Sequence, residues 1–244
     1  MTIRQCQQPR VQCRPVSRKQ IICLWIWILL LAAAFAVDQP VKIWLYQHHW
    51  HDESARIFKG SLLALRVKML GDIRTIAVIL ATAVGFAWIK PSIRQVRSFS
   101  FDLRRAIVVL ACAATSVLSD VIKWIAGRQR PIAADGSLTP PFDFVPFHLR
   151  PAGFAFVSGH TMLAFATATC LAWYYPRLRY LWFALAMLVA CERILEVAHH
   201  VSDVVAAAGL GILCAMACLR YLYPWSTARD PGTVEQLQER RIAS

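Results

Sequence analysis

Long apolar runs are the feature that most constrains the fold of this chain. A helix needs about 20 mostly apolar residues to cross the hydrocarbon core of a bilayer. The sequence offers six such windows, at residues 21–37, 71–89, 105–125, 159–175, 180–198 and 202–222. Hydrophobic residues make up 57% of the 244 positions and charged residues only 17%, which is too apolar for an ordinary soluble domain. The sequence therefore predicts an all-α polytopic membrane protein, a bundle of six transmembrane helices.

The distribution of charge predicts how the spans are oriented. The formal net charge is +13, and a strongly basic chain can bind nucleic acid or an anionic membrane surface. Here most of the basic residues lie in the loops and tails, with about sixteen of the 27 Lys and Arg on the side that holds the amino terminus. This bias predicts an inner-membrane protein with cytoplasmic tails at 1–20 and 223–244 and one membrane domain at 21–222. Nucleic acid is not an expected partner.

Two long connections separate the predicted spans. Between Asp38 and Leu70, basic and apolar residues alternate in a pattern typical of a helix in the membrane interface; an ordinary surface helix packed over the bundle explains the same pattern. The connection from Gly127 to Val157 is rich in Pro, Gly and aromatic residues, so we expect an irregular outer loop. Six alternating helices would bring that loop to the same face as the short turn at 197–202.

Lys123 and Arg130, in "SDVIKWIAGRQRP", form the first of three polar clusters at this outer face. They are seven residues apart, which puts them on one helix face if the helix persists that far. Asp120 and Lys123 are charges within an apolar window, and such charges are usually functional or paired. The alternative is that Lys123 and Arg130 reach toward lipid headgroups.

Ser158, Gly159 and His160 open the fourth apolar window and form the second cluster. The Ser158 hydroxyl can cap the helix by accepting a hydrogen bond from a backbone N–H in the first turn. A helix start at which Gly159 lets a ligand approach is also an anion site, and His160 would stand beside the anion. Taken alone, a capping Ser and a satisfied His explain the same residues.

His199 and Asp203 are the core of the third cluster. They are four residues apart near the start of the sixth window, so the carboxylate can reach the imidazole and fix its tautomer. Arg193 lies just before them, and His200 should point away from the site. The three clusters together supply cations, a helix amino terminus, two histidines and a carboxylate, which are the groups that a phosphoryl group needs. No set of Asp, Glu and His has metal-site spacing, so we expect neither a metal nor another cofactor.

The three clusters in this order resemble the signature of a known family. The matching motifs occupy 123–131, 157–160 and 192–203: Lys123-x6-Arg130-Pro131, Ser158-Gly159-His160 and Arg193-x5-His199-x3-Asp203. They resemble the type 2 phosphatidic acid phosphatase superfamily, which includes bacterial membrane lipid phosphatases. Two positions depart from its usual pattern, because Val157 replaces a common Pro and Glu192 replaces a common Ser. A carboxylate at 192 repels phosphate unless it turns away or pairs with a cation such as Arg193.

The resemblance implies a role for each matching position. His199 would be the nucleophile that forms a phosphohistidine, Asp203 would orient it, and His160 would be the general acid for the leaving alcohol. The implied phosphate-binding residues are Lys123, Arg130, Ser158, Gly159 and Arg193. The implied activity is that of a metal-independent phosphatase whose active site lies at the periplasmic end of the bundle.

The expected substrate is a membrane lipid phosphate. The motifs "FVSGH" and "HHVSD" resemble the lipid A phosphatase-like branch of the superfamily, which ranks lipid A phosphate first and undecaprenyl diphosphate second, with phosphatidylglycerophosphate as a further substrate. Phosphoryl transfer to a second lipid shares the same intermediate and stays open. A six-helix transporter is the alternative outside enzymes, but it predicts polar residues throughout several spans, whereas here they collect at one end. We expect the bilayer as the environment and no obligate protein partner.

Overall fold

In a computed structural model, the chain is described at residues 18–48, 103–133, 136–140, 142–147 and 153–227. Within these ranges the regular structure is helical, and the β pairing consists of isolated bridges. The helices are α1 (Arg18–Gln47), α2 (Leu103–Ala114), α3 (Leu118–Ala126), α4 (Gly159–Tyr174), α5 (Arg179–Leu195) and α6 (Val201–Thr227). Short 3-10 turns at Thr115–Val117 and Pro176–Leu178 precede α3 and α5. The predicted all-α class is confirmed.

Three stretches of the described helices are long and apolar enough to cross a membrane: Ile21–Gln47, Ala106–Ala126 and Val201–Leu222. They support the prediction of a helical membrane protein. The predicted number of six spans is not confirmed. Helices α4 and α5 have 16 and 17 residues, fewer than the about 20 that a typical span requires. The window at 71–89 and the predicted interfacial helix before it lie outside the described residues.

The prediction that the first helix gives way to a loop at Asp38 is wrong, because α1 continues through Pro40 to Gln47. A polar residue followed by Pro is an ordinary sign of a helix end. Asp38 and Lys42 are four residues apart and so share one face of α1, and both are only 3% exposed. Both side chains bond to polar groups of other segments, and these partners replace water and allow the helix to continue.

Helix α4 is the central helix of the described bundle, and it packs against α2, α5 and α6. Small side chains at these contacts let the helices approach closely. One buried group joins α2, α4 and α6 and consists of Val108, Val109, Cys112, Ala166, Cys170, Ala215 and Leu219. A second joins α4, α5 and α6 and consists of Ala164, Phe165, Ala168, Ala186, Val189, Ala190 and Val204. Helix α1 packs on α6, where Nε1 of Trp27 donates a hydrogen bond to the carbonyl oxygen of Val205 at 3.1 Å.

This packing brings several helix ends to one end of the bundle. The N–H of Ser158, just before α4, donates to the backbone carbonyl of Asp203 in α6 at 3.3 Å. The outer loop folds back over the same end, where an isolated antiparallel bridge pairs Gln129 with Phe154. The turn between α5 and α6 therefore meets the loop that precedes α4, and the predicted site residues lie at this junction.

Candidate active site

His199 lies in the turn between α5 and α6, and only 7% of its surface is exposed. Its Nδ1 donates a hydrogen bond to the backbone carbonyl oxygen of Ala155 at 2.8 Å. Because a carbonyl oxygen can only accept, the proton of the neutral imidazole resides on Nδ1 and the lone pair on Nε2. Nε2 is therefore the nitrogen that can act as a nucleophile.

The surroundings of His199 favour its neutral form. Burial lowers the pKa of His199 below its ordinary value, and the carboxylate of Asp203 opposes that effect. The positive charges of Lys123 and Arg130 lower this pKa further, so the cations of the first motif act on the histidine of the third. An imidazole whose pKa lies below about 6.5 is uncharged near neutral pH, as nucleophilic attack requires.

Asp203 is fully buried in the first turn of α6. One of its oxygens accepts the backbone N–H of His200 at 2.8 Å, which is one half of a capping box. The other oxygen accepts a hydrogen bond from Arg128 at 2.6 Å. The oxygen that caps α6 lies 3.8 Å from Nδ1 of His199, which exceeds hydrogen-bond distance. Asp203 thus acts on the imidazole through its charge, while Ala155 supplies the hydrogen-bond acceptor.

Ser158 occupies the N-cap position of α4, as the sequence predicts, but its hydroxyl makes no capping hydrogen bond. The predicted hydroxyl cap is therefore wrong. The hydroxyl of Ser158 instead accepts a hydrogen bond from Thr161 at 3.0 Å. His160 follows in the first turn of α4 and is partly exposed. The first-turn N–H groups of a helix have no partner within that helix, and an anion can accept hydrogen bonds from such groups.

Gly159 brings the start of α4 against α3. A methyl group at this position would lie 2.9 Å from the hydroxyl oxygen of Ser119 and 3.5 Å from Nζ of Lys123. Lys123 pairs with Asp120 at 2.8 Å, and the Asp120 side chain is 70% exposed. An ion pair with so exposed a partner is weak. Lys123 can therefore exchange Asp120 for an anion that approaches the start of α4.

Lys123 and Arg130 do not share a helix face, because the helix does not persist as far as Arg130 and α3 ends at Ala126. The next residue, Gly127, has φ of 61°, a left-handed conformation that glycine adopts at little cost. Its N–H closes the helix by donating to the carbonyl of Lys123 at 2.7 Å. Arg130 lies in the outer loop with an exposed side chain, and its backbone carbonyl accepts the hydroxyl of Thr139 at 2.8 Å. The loop, rather than a helix face, carries this guanidinium to the site.

Arg193, in the last turn of α5, is buried and held by two carboxylates. It forms ion pairs with the neighbouring Glu192 and, at 2.6 Å, with Glu196. Pairing of Glu192 with Arg193 is one of the two arrangements that the sequence allowed for an acid at this position. Both carboxylates compensate the charge that Arg193 would offer to a phosphate, so an incoming anion must compete with them.

Sequence reasoning missed Arg128, Asp38 and Ser202, which form a buried network beside His199. Nη2 of Arg128 lies 2.7 Å from Asp38, and Nη1 lies 2.6 Å from the Ser202 hydroxyl. The signal that could have found them is Asp38, a lone acid at the end of an apolar window, since a charge of this kind usually has a buried partner. Arg128 stands inside the first motif, but at a position to which the motif assigns no role.

The character of the site is that of an anion site. The charges of Lys123 and Arg130 act on the imidazole of His199, and Lys123 also lies near Gly159 at the start of α4. Cations and the N–H groups of a helix start are the groups that bind an anion. Among the residues that the structure describes, no group of three or more His, Cys, Asp or Glu side chains is arranged to hold a metal ion.

Comparison with known proteins identifies the family of the chain. A family model described as the PAP2 superfamily matches residues 105–226, which is half of the chain and includes all three motifs. No curated protein and no solved structure matches the chain. The chain therefore belongs to the PAP2 superfamily, whose members are phosphatases, and this membership supports a phosphatase that acts on lipid-like phosphates.

Proposed function

We propose that the protein is an integral membrane phosphatase that hydrolyses a phosphate monoester or diphosphate on a lipid headgroup through a phosphohistidine at His199. The observation that carries this proposal is the hydrogen bond from Nδ1 to Ala155, because it leaves the lone pair on Nε2. The charges of Lys123 and Arg130 act on the same imidazole, and Lys123 lies near Gly159 at the start of α4. The active site faces the periplasm, in the inner membrane of a bacterium.

In the first chemical step, the Nε2 lone pair of His199 attacks phosphorus, and the bond from phosphorus to the lipid oxygen breaks. His160 enters this step protonated and transfers its proton to the leaving oxygen. Lys123, Arg130 and the first-turn N–H groups of α4 stabilise the charge on the equatorial oxygens. The carboxylate of Asp203 stabilises the positive charge that the attacking imidazole acquires.

In the second step, water hydrolyses the phosphohistidine. The now neutral His160 takes a proton from the water as its oxygen attacks phosphorus, and the bond from phosphorus to Nε2 breaks. Inorganic phosphate leaves, His199 returns to its neutral form, and His160 is protonated again. The same histidine serves as acid and then as base, so the cycle closes without another reactant.

A lipid substrate fits the surroundings of the site. Trp124 follows Lys123 and stacks edge-on against Phe147 of the outer loop, with 5.3 Å between the ring centroids, and both side chains are exposed. Tryptophan side chains concentrate at the level of lipid headgroups. A lipid could therefore keep its tails in the bilayer while its phosphate reaches Lys123. We rank lipid A phosphate first, then undecaprenyl diphosphate, then phosphatidylglycerophosphate.

The test is phosphate release by the purified protein in detergent from each of these three lipids, with and without a metal chelator. His199→Ala should lower the rate by about a thousandfold or more, whereas His48→Ala, the loss of an exposed histidine directly after α1, should leave it unchanged. If His199→Ala still releases phosphate at the wild-type rate, the proposed phosphohistidine mechanism is refuted. No release from any of the lipids would sink the enzyme proposal, and activity that the chelator abolishes would refute metal independence.

Product analysis in the same assay separates hydrolysis from transfer. A phosphatase yields free phosphate and no phosphorylated lipid acceptor, whereas a phosphotransferase yields a second phosphorylated lipid. Both reactions pass through the phosphohistidine, so only the products tell them apart.

A further inference from the structure

A buried ionic network joins three segments of the chain that are far apart in sequence. Arg128 of the outer loop is 1% exposed, while Asp38 of α1 and Asp203 of α6 are 3% and 0% exposed. The guanidinium lies 2.7 Å from Asp38 and 2.6 Å from Asp203. It also lies over the rings of Phe35 and Phe144, at 5.2 and 5.3 Å from their centroids. Protein groups on several sides therefore hold this charge in one position.

Asp38 fixes the start of α6 from a different helix. Its Oδ1 accepts the backbone N–H of Ser202 at 2.9 Å, and its Oδ2 accepts the Ser202 hydroxyl at 2.5 Å. The first N–H groups of a helix have no partner within that helix. The Asp38 carboxylate of α1 thus accepts hydrogen bonds from the N–H and the hydroxyl of Ser202, while the Asp203 carboxylate accepts one from the N–H of His200. The first turn of α6, which directly follows His199, is held by carboxylates from two helices.

Arg128 is bonded to both groups that act on Nδ1 of His199. Its backbone carbonyl accepts the N–H of Ala155 at 2.8 Å, and the carbonyl of Ala155 accepts the hydrogen bond from His199. Its side chain binds Asp203, whose other oxygen lies 3.8 Å from Nδ1. A shift of Arg128 would therefore move the hydrogen-bond acceptor and the neighbouring carboxylate together.

We propose that Arg128 and Asp38 are positioning residues of the active site, which hold Ala155, Asp203 and the first turn of α6 so that His199 presents Nε2 to the phosphate. This inference rests on the proposed role of His199 as the nucleophile. Stability alone does not account for the network, because the desolvation of buried charges largely offsets their attraction, and apolar packing would hold the helices as well.

Arg128→Gln and Asp38→Asn test the proposal in the full-length protein. Both should lower kcat on the best lipid substrate about 10- to 100-fold through misplacement of His199, with KM changed less than about threefold. Their charges should act on His199 in opposite directions. Loss of the Arg128 cation leaves Asp203 uncompensated and raises the pKa of His199, whereas loss of the Asp38 anion lowers it.

NMR titration of histidine-labelled protein measures that pKa, with His199→Gln to identify the resonance. The other charged or titratable groups around the imidazole remain in both variants: Lys42, Lys123, Arg130, His200 and Asp203. The stability control is Leu219→Ala, which removes a buried side chain in the bundle core and should lower Tm without changing kcat or the pKa of His199. Ser202→Ala, which removes one shared hydroxyl and no charge, is the milder variant and should lower kcat several-fold.

The positioning proposal is overturned if Arg128→Gln and Asp38→Asn fold and keep the kcat of the wild type. If neither variant folds, a wild-type kcat in Ser202→Ala overturns it. An equal loss of kcat in Leu219→Ala would overturn it too, since the effect would then follow stability. If the wild-type protein releases no phosphate from any lipid, that result refutes the proposed function but does not decide the positioning proposal. The NMR titration then decides the positioning proposal, and an unchanged pKa of His199 in both charge variants overturns it.

Discussion

Gly159→Ala tests the close approach of α3 and α4 on which the anion site depends. The added methyl group would lie 2.9 Å from the hydroxyl oxygen of Ser119, which is 0.5 Å short of the 3.4 Å at which ordinary contact begins. Ser119 is only 1% exposed, so its side chain has little room to turn away. We expect α3 to shift instead, and the shift moves Lys123, which lies one helical turn further along.

The size of the effect follows from that displacement. Overpacking of a buried contact costs about 1–3 kcal/mol of stability. A misplacement of 1 Å can cost about a hundredfold in rate, so a shift of half that size should lower kcat by about tenfold on the same reasoning. The first-turn N–H groups of α4 remain in Gly159→Ala, so the loss reports on the separation of the two helices.

A second substitution should restore the contact. Ser119→Ala removes the clashing oxygen, after which the nearest atoms to the new methyl group are Nζ of Lys123 at 3.5 Å and Cβ of residue 119 at 3.9 Å, both ordinary contacts. Ser119→Ala/Gly159→Ala should therefore recover most of the kcat that Gly159→Ala loses, while Ser119→Ala alone stays within about twofold of wild type. Steady-state phosphate release and Tm are measured for all four proteins. Wild-type kcat in Gly159→Ala, or a double variant no better than it, would refute the reasoning.

Two further predictions concern the charges of the site. Glu192→Gln removes one of the carboxylates that compensate Arg193 and should tighten inhibition by orthovanadate about tenfold, since a charged hydrogen bond contributes about 1.5–3 kcal/mol. An inhibition constant that changes neither in Glu192→Gln nor in Glu196→Gln would show that Arg193 does not bind the anion. Burial lowers the pKa of His199 in the folded protein. Below about pH 6.5 the imidazole is therefore protonated more readily in the unfolded chain than in the native state, and the free energy of unfolding decreases as the pH decreases. Wild-type Tm should therefore fall relative to that of His199→Gln between about pH 7 and pH 5, and parallel curves would contradict the environment described for this histidine.

The helices were largely predictable, whereas the tertiary partners of their polar residues were not. Apolar windows located α4, α5 and α6 because long apolar stretches are needed both to cross a bilayer and to pack a bundle. The continuation of α1 past Asp38 could not be predicted, because its partners Arg128 and Ser202 are 90 and 164 residues away. A local turn signal at Pro40 was thus overridden by contacts that no local pattern encodes.

The candidate site divides in the same way. Side-chain chemistry and spacing predicted that His199, Asp203 and Lys123 belong to one site, and in the structure they lie near one another. The carbonyl of Ala155 could not be predicted as the acceptor for Nδ1, since every residue has a carbonyl and the identity of a side chain does not mark it. The end of α3, by contrast, was readable, because a glycine after a helical run is an ordinary helix terminator.

Two helix amino termini meet at the site, and they differ in the charged side chains that lie beside them. In α6, carboxylates take the N–H groups of His200 and Ser202 and so compensate the positive end of the helix dipole. The start of α4 has no side-chain cap, and Lys123 stands beside its first residue. We therefore expect a phosphate to be repelled by the carboxylates of Asp38 and Asp203 at the start of α6 and attracted to the start of α4. In the proposed mechanism this division puts the nucleophile His199 at one helix end and the anion-binding groups at the other, so each keeps the charge that its step requires.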